Sequence, residues 1–397
     1  MKKVLTRTIW ILSLVSLFAD VASEMLYPIM PIYLRTIGFS VLLIGILEGV
    51  AEATAGLSKG YFGNLSDRKG VRLPFIRWGY FLAAISKPML AILTFPLWIF
   101  SARTLDRFGK GLRTGARDAM LSDQATPETK GAVFGFHRGM DTMGAVIGPL
   151  LALCYLYYAP AHYKSLFYIA FIPGMLSVGL LFLLKEKKKT EPQPIKTKGT
   201  YSFWAFLKYW KSSPLQYKKL VAGLLVFTLF NSSDYFLLLK MKDAGLSDTY
   251  IIGIYVFYNI VYAACSYPLG VLADKIGFRN VMLLGLFIFS SVYFGMAINH
   301  NLYIFFLLFL LYGVYAAATD GVSKAWISNI ADKKDTGTAI GTFTGFQSIC
   351  TMLASSVAGL IWYKSGAPLV FILSSITSLL VFFYLAIVFR NAPKKGQ

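Results

Sequence analysis

Apolar residues run along this chain in blocks of about twenty, broken by short polar loops, across nearly all of its 397 positions. A block of ~20 apolar residues is the length that crosses the hydrocarbon core of a bilayer as a helix. The pattern predicts twelve such helices, at roughly 8–34, 41–65, 73–94, 97–121, 131–158, 165–185, 219–240, 249–273, 279–298, 302–330, 337–362 and 367–390. One polar stretch interrupts the rhythm between the sixth and seventh, KEKKKTEPQPIKTKGT at 185–200, rich in Lys and containing Pro. It reads as a linker, and the following YSFWAFLKYW reads as a short helix lying at the membrane interface. The expected organisation is an N-terminal six-helix bundle at 1–185, a linker at 186–218 and a C-terminal six-helix bundle at 219–397.

Composition agrees with the pattern. The chain is 56% hydrophobic, and 15% of its residues are charged, against about 25% in an ordinary soluble domain. A net charge of +20 would point to nucleic acid in a soluble protein. Here the excess sits in connecting loops, so the reading is membrane topology and no nucleic-acid partner. Ten lysines lie in 185–219, and Arg68, Lys69, Arg72, Lys275, Arg279, Lys333, Lys334, Lys394 and Lys395 fall in alternate loops or the tail. Positive charge collects on the cytoplasmic side, which puts both termini and the linker in the cytoplasm and the protein in the cytoplasmic (inner) membrane. Lys2, Lys3 and Arg7 precede the first span, but the apolar run continues past any plausible signal cleavage point. Cys154, Cys265 and Cys350 lie within apolar runs at no metal-ligand or redox spacing and read as small buried hydrophobes. No metal site and no cofactor is expected.

A duplication organises the chain. GNLSDRKGVR (63–72) superposes on GVLADKIGFR (270–279) with a shift of 207, aligning Gly63 with Gly270, Asp67 with Asp274, Gly70 with Gly277 and Arg72 with Arg279. The same shift pairs Glu24 with Asn231 and Glu52 with Asn259, and a shift of 206 brings GAVFGFHRGMD (131–141) onto GTAIGTFTGFQ (337–347). Two similar halves follow. The twice-occurring loop resembles the signature loop of the major facilitator superfamily, and the resemblance covers essentially the whole chain. It implies a secondary transporter, not an enzyme, built as two six-helix bundles that rock about a central cavity. The loops then act as gates: Gly63, Asp67, Arg68, Gly70 and Arg72 in one half, Gly270, Asp274, Gly277 and Arg279 in the other. The glycines would permit close approach, Asp67 would accept hydrogen bonds from a neighbouring helix N-terminus, and Arg68 and Arg72 would pair across the cytoplasmic face. GAVIGP (144–149) and RFGKGLR (107–113) are similar to elements of proton-driven exporters in the fifth and fourth helices, although Leu150 and Leu151 stand where glycines would follow and Lys110 where glutamine is usual.

RTLDRFGKGLRTGARD (103–118) carries seven charges in sixteen residues of the fourth predicted helix. On a helix, Arg103, Asp106, Arg107, Lys110, Arg113, Arg117 and Asp118 fall within an arc of ~140°. Charges facing lipid cost ~2.5–3.5 kcal/mol each on insertion scales, so this face must look into the bundle. Partners at one-turn spacing are Asp20 and Glu24, Glu48 and Glu52, and His137, Arg138 and Asp141. The second half offers Asn231, Asp234, Tyr258, Asn259, Asp320, Lys324 and Gln347.

These residues divide by role. Arg107, Arg138, Lys110, Arg103, Asn231, Tyr258, Asn259 and Gln347 are candidates to bind solute. Asp20, Glu24, Glu48, Glu52, Asp141 and His137 are candidates to carry protons, with Glu48 and Arg113 reading equally as a static buried pair. Arg117 and Asp118 brace the gate. Arg107 and Arg138 are expected to be held by Glu24, Asp20 or Asp141. Five basic residues point to a small organic solute with a carboxylate or phosphate, anionic or zwitterionic, moved together with protons by a monomer in the bilayer. Export by antiport is favoured over uptake. A lipid or lysolipid flippase of the same architecture is the alternative, given 32 Phe and 24 Tyr. A divalent-metal transporter using Asp20, Glu24 and Asp141 is disfavoured by the adjacent arginines.

Overall fold

The computed structural model describes residues 4–27, 29–39, 41–159, 162–186, 205–232, 234–246 and 248–390. Its regular structure is helical, and the long helices follow the predicted spans: α1 (Arg7–Glu24), α2 (Met30–Thr36), α3 (Val41–Lys69), α4 (Leu73–Ile92), α5 (Pro96–Gln124), α6 (Lys130–Tyr158) and α7 (Tyr163–Leu180) in the first half. After α8 (Ala205–Ser212) come α9 (Leu215–Phe230), α10 (Tyr235–Asp243), α11 (Asp248–Ile276), α12 (Phe278–Ile298), α13 (Leu302–Ile330), α14 (Thr336–Ser365) and α15 (Ala367–Val388). Among the described residues, seven helices are long and apolar enough to cross a membrane by length and composition.

Two expected spans are broken. The first predicted helix splits into α1 and α2, where Pro28 and Pro31 remove backbone donors. The seventh splits into α9 and α10 at NSSD (231–234), residues whose side chains compete for backbone hydrogen bonds. A shift of 207 from the end of α1, at Glu24, lands on Asn231, at the end of α9, so the breaks fall at matching points of the duplication. Interrupted helices at corresponding positions are the pointer to a binding region in duplicated transporters.

The chain forms two compact units. The first holds residues 1–124, 140–213 and 331–348; the second holds 125–139, 214–330 and 349–397. Thus the start of α6 lies in the second unit and the start of α14 in the first. In the first unit, α5 packs between α3 and α4, and α7 packs against α1 and α4. A Cβ added at Gly109 would lie 2.6 Å from the Gly79 carbonyl oxygen, which shows how closely α4 and α5 approach. In the second unit, α13 packs on α11 and α12, and α12 on α15.

A short helix, α8, stands at the end of the expected linker and packs on α3. Trp210 meets the Phe346 ring edge-on at 6.2 Å, and Tyr209 is buried. The cysteines differ from expectation: Cys154 is exposed, and Cys265 and Cys350 are only partly covered. In a membrane helix the solvent is lipid, so an apolar-tolerant thiol has no need of burial in protein.

Candidate functional site

Each unit carries its own polar cluster within otherwise apolar helices. In the first unit the cluster is organised by α5. Arg103, Asp106, Arg113, Arg117 and Asp118 are buried, Arg107 is half-buried and Lys110 is exposed. Lys87 on α4 donates to Asp106 Oδ1 at 2.6 Å and to the Ser23 hydroxyl at 3.2 Å, while Arg103 Nη1 lies 3.4 Å from Asp106 Oδ2. Asp106 is thereby clamped between two cations. Lys87 is absent from the sequence-based candidates, although a lone lysine inside FLAAISKPML is the signal that would have found it.

Arg117 donates through Nε to Asp118 Oδ1 at 3.0 Å and through Nη1 to the hydroxyls of Ser16, at 3.1 Å, and Tyr80, at 3.4 Å. It ties α5 to α1 and α4. Arg113 sits over the Tyr80 ring at 4.1 Å, a cation–π contact. The expected partner Glu48 has a side chain outside the described residues.

Arg107 meets Glu52, Nη2 to Oε1, at 3.0 Å. Its counter-ion is therefore on α3, whereas Asp20, Glu24 or Asp141 was expected. Glu24, at the end of α1, lies in the electrostatic field of Lys110, Arg107 and Arg103. Ser16 donates to Asp141 Oδ1, and the carboxyl groups of Asp20 and Asp141 lie beside one another. Gly144 permits this approach of α6 to α1: a Cβ there would stand 2.8 Å from that of Asp20.

The second unit places Arg138 on α6 against Asp320 on α13, Nη2 to Oδ2, at 2.7 Å. Tyr262 donates to the same Oδ2 and receives Arg138 Nε. This too departs from the expectation of a carboxylate from the first half. Around Asp234 a group of tyrosines converges: Tyr312 donates to Oδ1 at 2.7 Å and Tyr258 to Oδ2 at 3.4 Å. Asn231 bonds Tyr315 at 2.9 Å and accepts from Tyr293 at 3.5 Å. Asn259 instead turns back to the Tyr255 carbonyl of its own helix at 3.0 Å. His137 is buried, and Gln347, in the first unit, is half-buried.

The duplicated loops take a common geometry. Asp67 accepts from the backbone N–H of Gly337, at 3.3 Å, and of Thr338, and from the Thr338 hydroxyl at 2.7 Å. Asp274 accepts from the backbone N–H groups of Gly131 and Ala132, both at 2.7 Å. Each carboxylate thus caps the N-terminus of a helix from the other sequence half, where free N–H groups and the helix dipole favour an anion. Gly63 and Gly270 are the contact points: a Cβ would come within 2.4 Å of the Gly337 carbonyl oxygen in one and 2.2 Å of the Gly131 oxygen in the other. Gly70 and Gly277 turn the loops with φ of +66° and +95°. Of the arginines, Arg72 reaches across to Asp123 at the end of α5, at 3.9 Å. Arg72 bonds Asp67 and Ser66 of its own loop, Arg68 is exposed, and Arg279 donates to the Ala386 carbonyl at 2.6 Å.

Long apolar helices in two duplicated sets, with charges gathered on inward faces, define a multi-pass membrane transporter. Comparison with known proteins agrees. The family model of the Major Facilitator Superfamily matches residues 12–259 and 235–397. An uncharacterized transporter of that type from Methanocaldococcus jannaschii is 31% identical over 95% of this chain and 93% of its own length. The human organic anion transporter MFSD10 superposes with a TM-score of 0.78 at 16% identity, covering 96% of this chain and 99% of that one. The E. coli fucose:proton symporter FucP gives 0.77 at 12% identity, covering 97% and 99%. The chain belongs to the major facilitator superfamily: it is an integral membrane transporter of small solutes and not an enzyme.

Proposed function

We propose that this transporter carries a small organic anion or zwitterion in exchange for protons, favouring export, and that it works as a monomer in the cytoplasmic membrane with both termini in the cytoplasm. The observation that carries this reading is the gathering of three carboxyl groups, Asp20, Glu24 and Asp141, beside the basic face of α5. Lys110 is exposed and lies in the field of Asp20 and Glu24, and Glu52 is itself 47% exposed against Arg107. An anion reaching Arg107 and Lys110 would take over charge that Asp20, Glu24 and Glu52 now share. A carboxylate that loses its cation gains affinity for protons, so binding of solute and of protons would be linked reciprocally. Arg suits the first contact, because its fork grips a carboxylate or phosphate at two points.

The fold neighbour described as an organic anion transporter is in keeping with an anionic solute. The buried pairs Lys87–Asp106, which joins α4 to α5, and Arg117–Asp118 belong to support.

The test is flux in proteoliposomes under an imposed pH gradient, with a panel of carboxylates and organic phosphates and with short-chain lysolipids. Uptake of an organic anion into vesicles driven by the gradient, lost in Glu24→Gln while anion–anion exchange continues, is the expected result. Movement of lysolipids alone would favour the flippase reading. Flux that ignores the gradient for every solute would end the proton-coupled one.

A further inference from the structure

Three ion pairs on the charged helices are closed into the protein, with both side chains no more than 10% exposed: Lys87–Asp106, Arg103–Asp106 and Arg117–Asp118. Arg138–Asp320 is different. Its side chains are 35% and 42% exposed, yet both residues lie well inside long helices of a membrane protein. An ion pair turned toward lipid is costly, so this exposure is to water.

The pairing is also economical on the acid's side. Arg138 Nη2 and the Tyr262 hydroxyl both converge on one oxygen, Oδ2, so Asp320 is held through a single atom. The guanidinium lies 5.3 Å from the centre of the Tyr262 ring, and Tyr262 is itself buried. The cation is therefore fixed in place, while its carboxylate partner is half in water and gripped at one point. A guanidinium binds oxyanions best through two parallel N–H bonds.

We propose that Arg138 and Tyr262 form an oxyanion-binding site and that Asp320 is its resident occupant, displaced when the carboxylate or phosphate of a solute arrives. The inference deepens the anion-transport reading and rests on it. No bond is made or broken in the exchange: one anion leaves Arg138 as another takes its place, and the Tyr262 hydroxyl passes from Asp320 to the newcomer. An internal competitor lowers the apparent affinity by the fraction of time it leaves the site open. Its advantage is that Arg138 is never left without an anion once the solute has gone.

Equilibrium binding to the purified full-length protein tests this, with succinate and inorganic phosphate as probes and chloride at matched ionic strength as the control. Asp320→Asn should bind one of the probes at least about tenfold more tightly than the unaltered protein. Adding Tyr262→Phe to Asp320→Asn, which takes the hydroxyl from the vacated site and preserves the ring, should give back a smaller part of the gain than Arg138→Gln does. Adding Arg138→Gln to Asp320→Asn should abolish the gain. Tightening by succinate alone assigns a carboxylate site, and by phosphate alone a phosphate site. If Asp320→Asn binds neither probe, or binds no more tightly than the unaltered protein, the proposal is overturned. If binding survives Arg138→Gln and is lost in Arg107→Gln, this site is wrong while the anion reading stands. If chloride competes as well as both probes, the site is a general cationic surface and the proposal also fails.

Discussion

Asp67 and Asp274, 207 positions apart, occupy equivalent places: each caps the first backbone N–H groups of a helix that belongs to the opposite half of the sequence. They are not equal in strength. Asp67 takes two backbone N–H groups, a hydroxyl and the guanidinium of Arg72, while Asp274 takes two backbone N–H groups.

Asp67→Asn should therefore impair transport more than Asp274→Asn. The first leaves Arg72 with only the more distant Asp123, at 3.9 Å; the second removes charge from two dipolar donors alone, a term of about 0.3–1 kcal/mol. Initial transport rates at matched expression give the comparison, and equal or reversed severity would count against it.

The glycine contacts predict a steric phenotype. Asn64 Nδ2 lies 3.3 Å from Thr338 Oγ1, so cysteines at these two positions should cross-link rapidly in a background lacking Cys154, Cys265 and Cys350. Gly63→Ala forces a methyl group to 2.4 Å from a backbone oxygen, where neither side can yield without moving a helix. It should slow cross-linking several-fold, and an unchanged rate would show that the contact is not needed.

Lys87 and Asp106 are expected to matter for stability. Removing one partner of a buried pair costs about 3–5 kcal/mol, whereas replacing both with apolar groups is often nearly neutral. Lys87→Met should thus lower the melting temperature in detergent sharply, and Lys87→Met with Asp106→Leu should recover part of the loss. The recovery will be incomplete because Arg103 also faces Asp106.

Orientation is open to a direct check. Lys69 and Lys364 are both exposed, at the ends of α3 and α14. With cysteine at either position on a cysteine-free background, a membrane-impermeant reagent applied to intact cells should label position 364 and leave position 69 untouched. The reverse pattern would invert the assigned topology.

Much of the architecture was legible in the sequence because a membrane limits the options: apolar blocks of the right length must be helices, and the repeated G-x-L-x-D loop exposes the duplication. The breaks after Glu24 and Phe230 were less visible, because hydropathy is insensitive to where backbone hydrogen bonds stop. Pro28 and Pro31 mark the first break in the sequence, and Asn231-Ser232 begins the second. At the charged site, residue types and helical faces could be read, but partners could not. Arg107 and Glu52 lie 55 positions apart, and Arg138 and Asp320 lie 182 apart, and several arrangements of five cations among the nearby acids satisfy charge equally well. Lys87 escaped notice for a related reason: one charge in a very apolar helix leaves the amphipathic pattern almost unchanged.

The crossed capping has a bearing on ancestry. Asp67 finds its helix N-terminus at Gly337 and Thr338, and Asp274 finds its own at Gly131 and Ala132, so neither half holds the cap for its own loop. A six-helix precursor standing alone would have had an aspartate with nothing to cap. Two copies related by a two-fold axis would have satisfied both at once, since in such a pairing what the first copy offers the second returns. Within one chain that reciprocity persists without its symmetry: Arg72 pairs with Asp67 and Asp123, whereas Arg279 turns away to a backbone carbonyl.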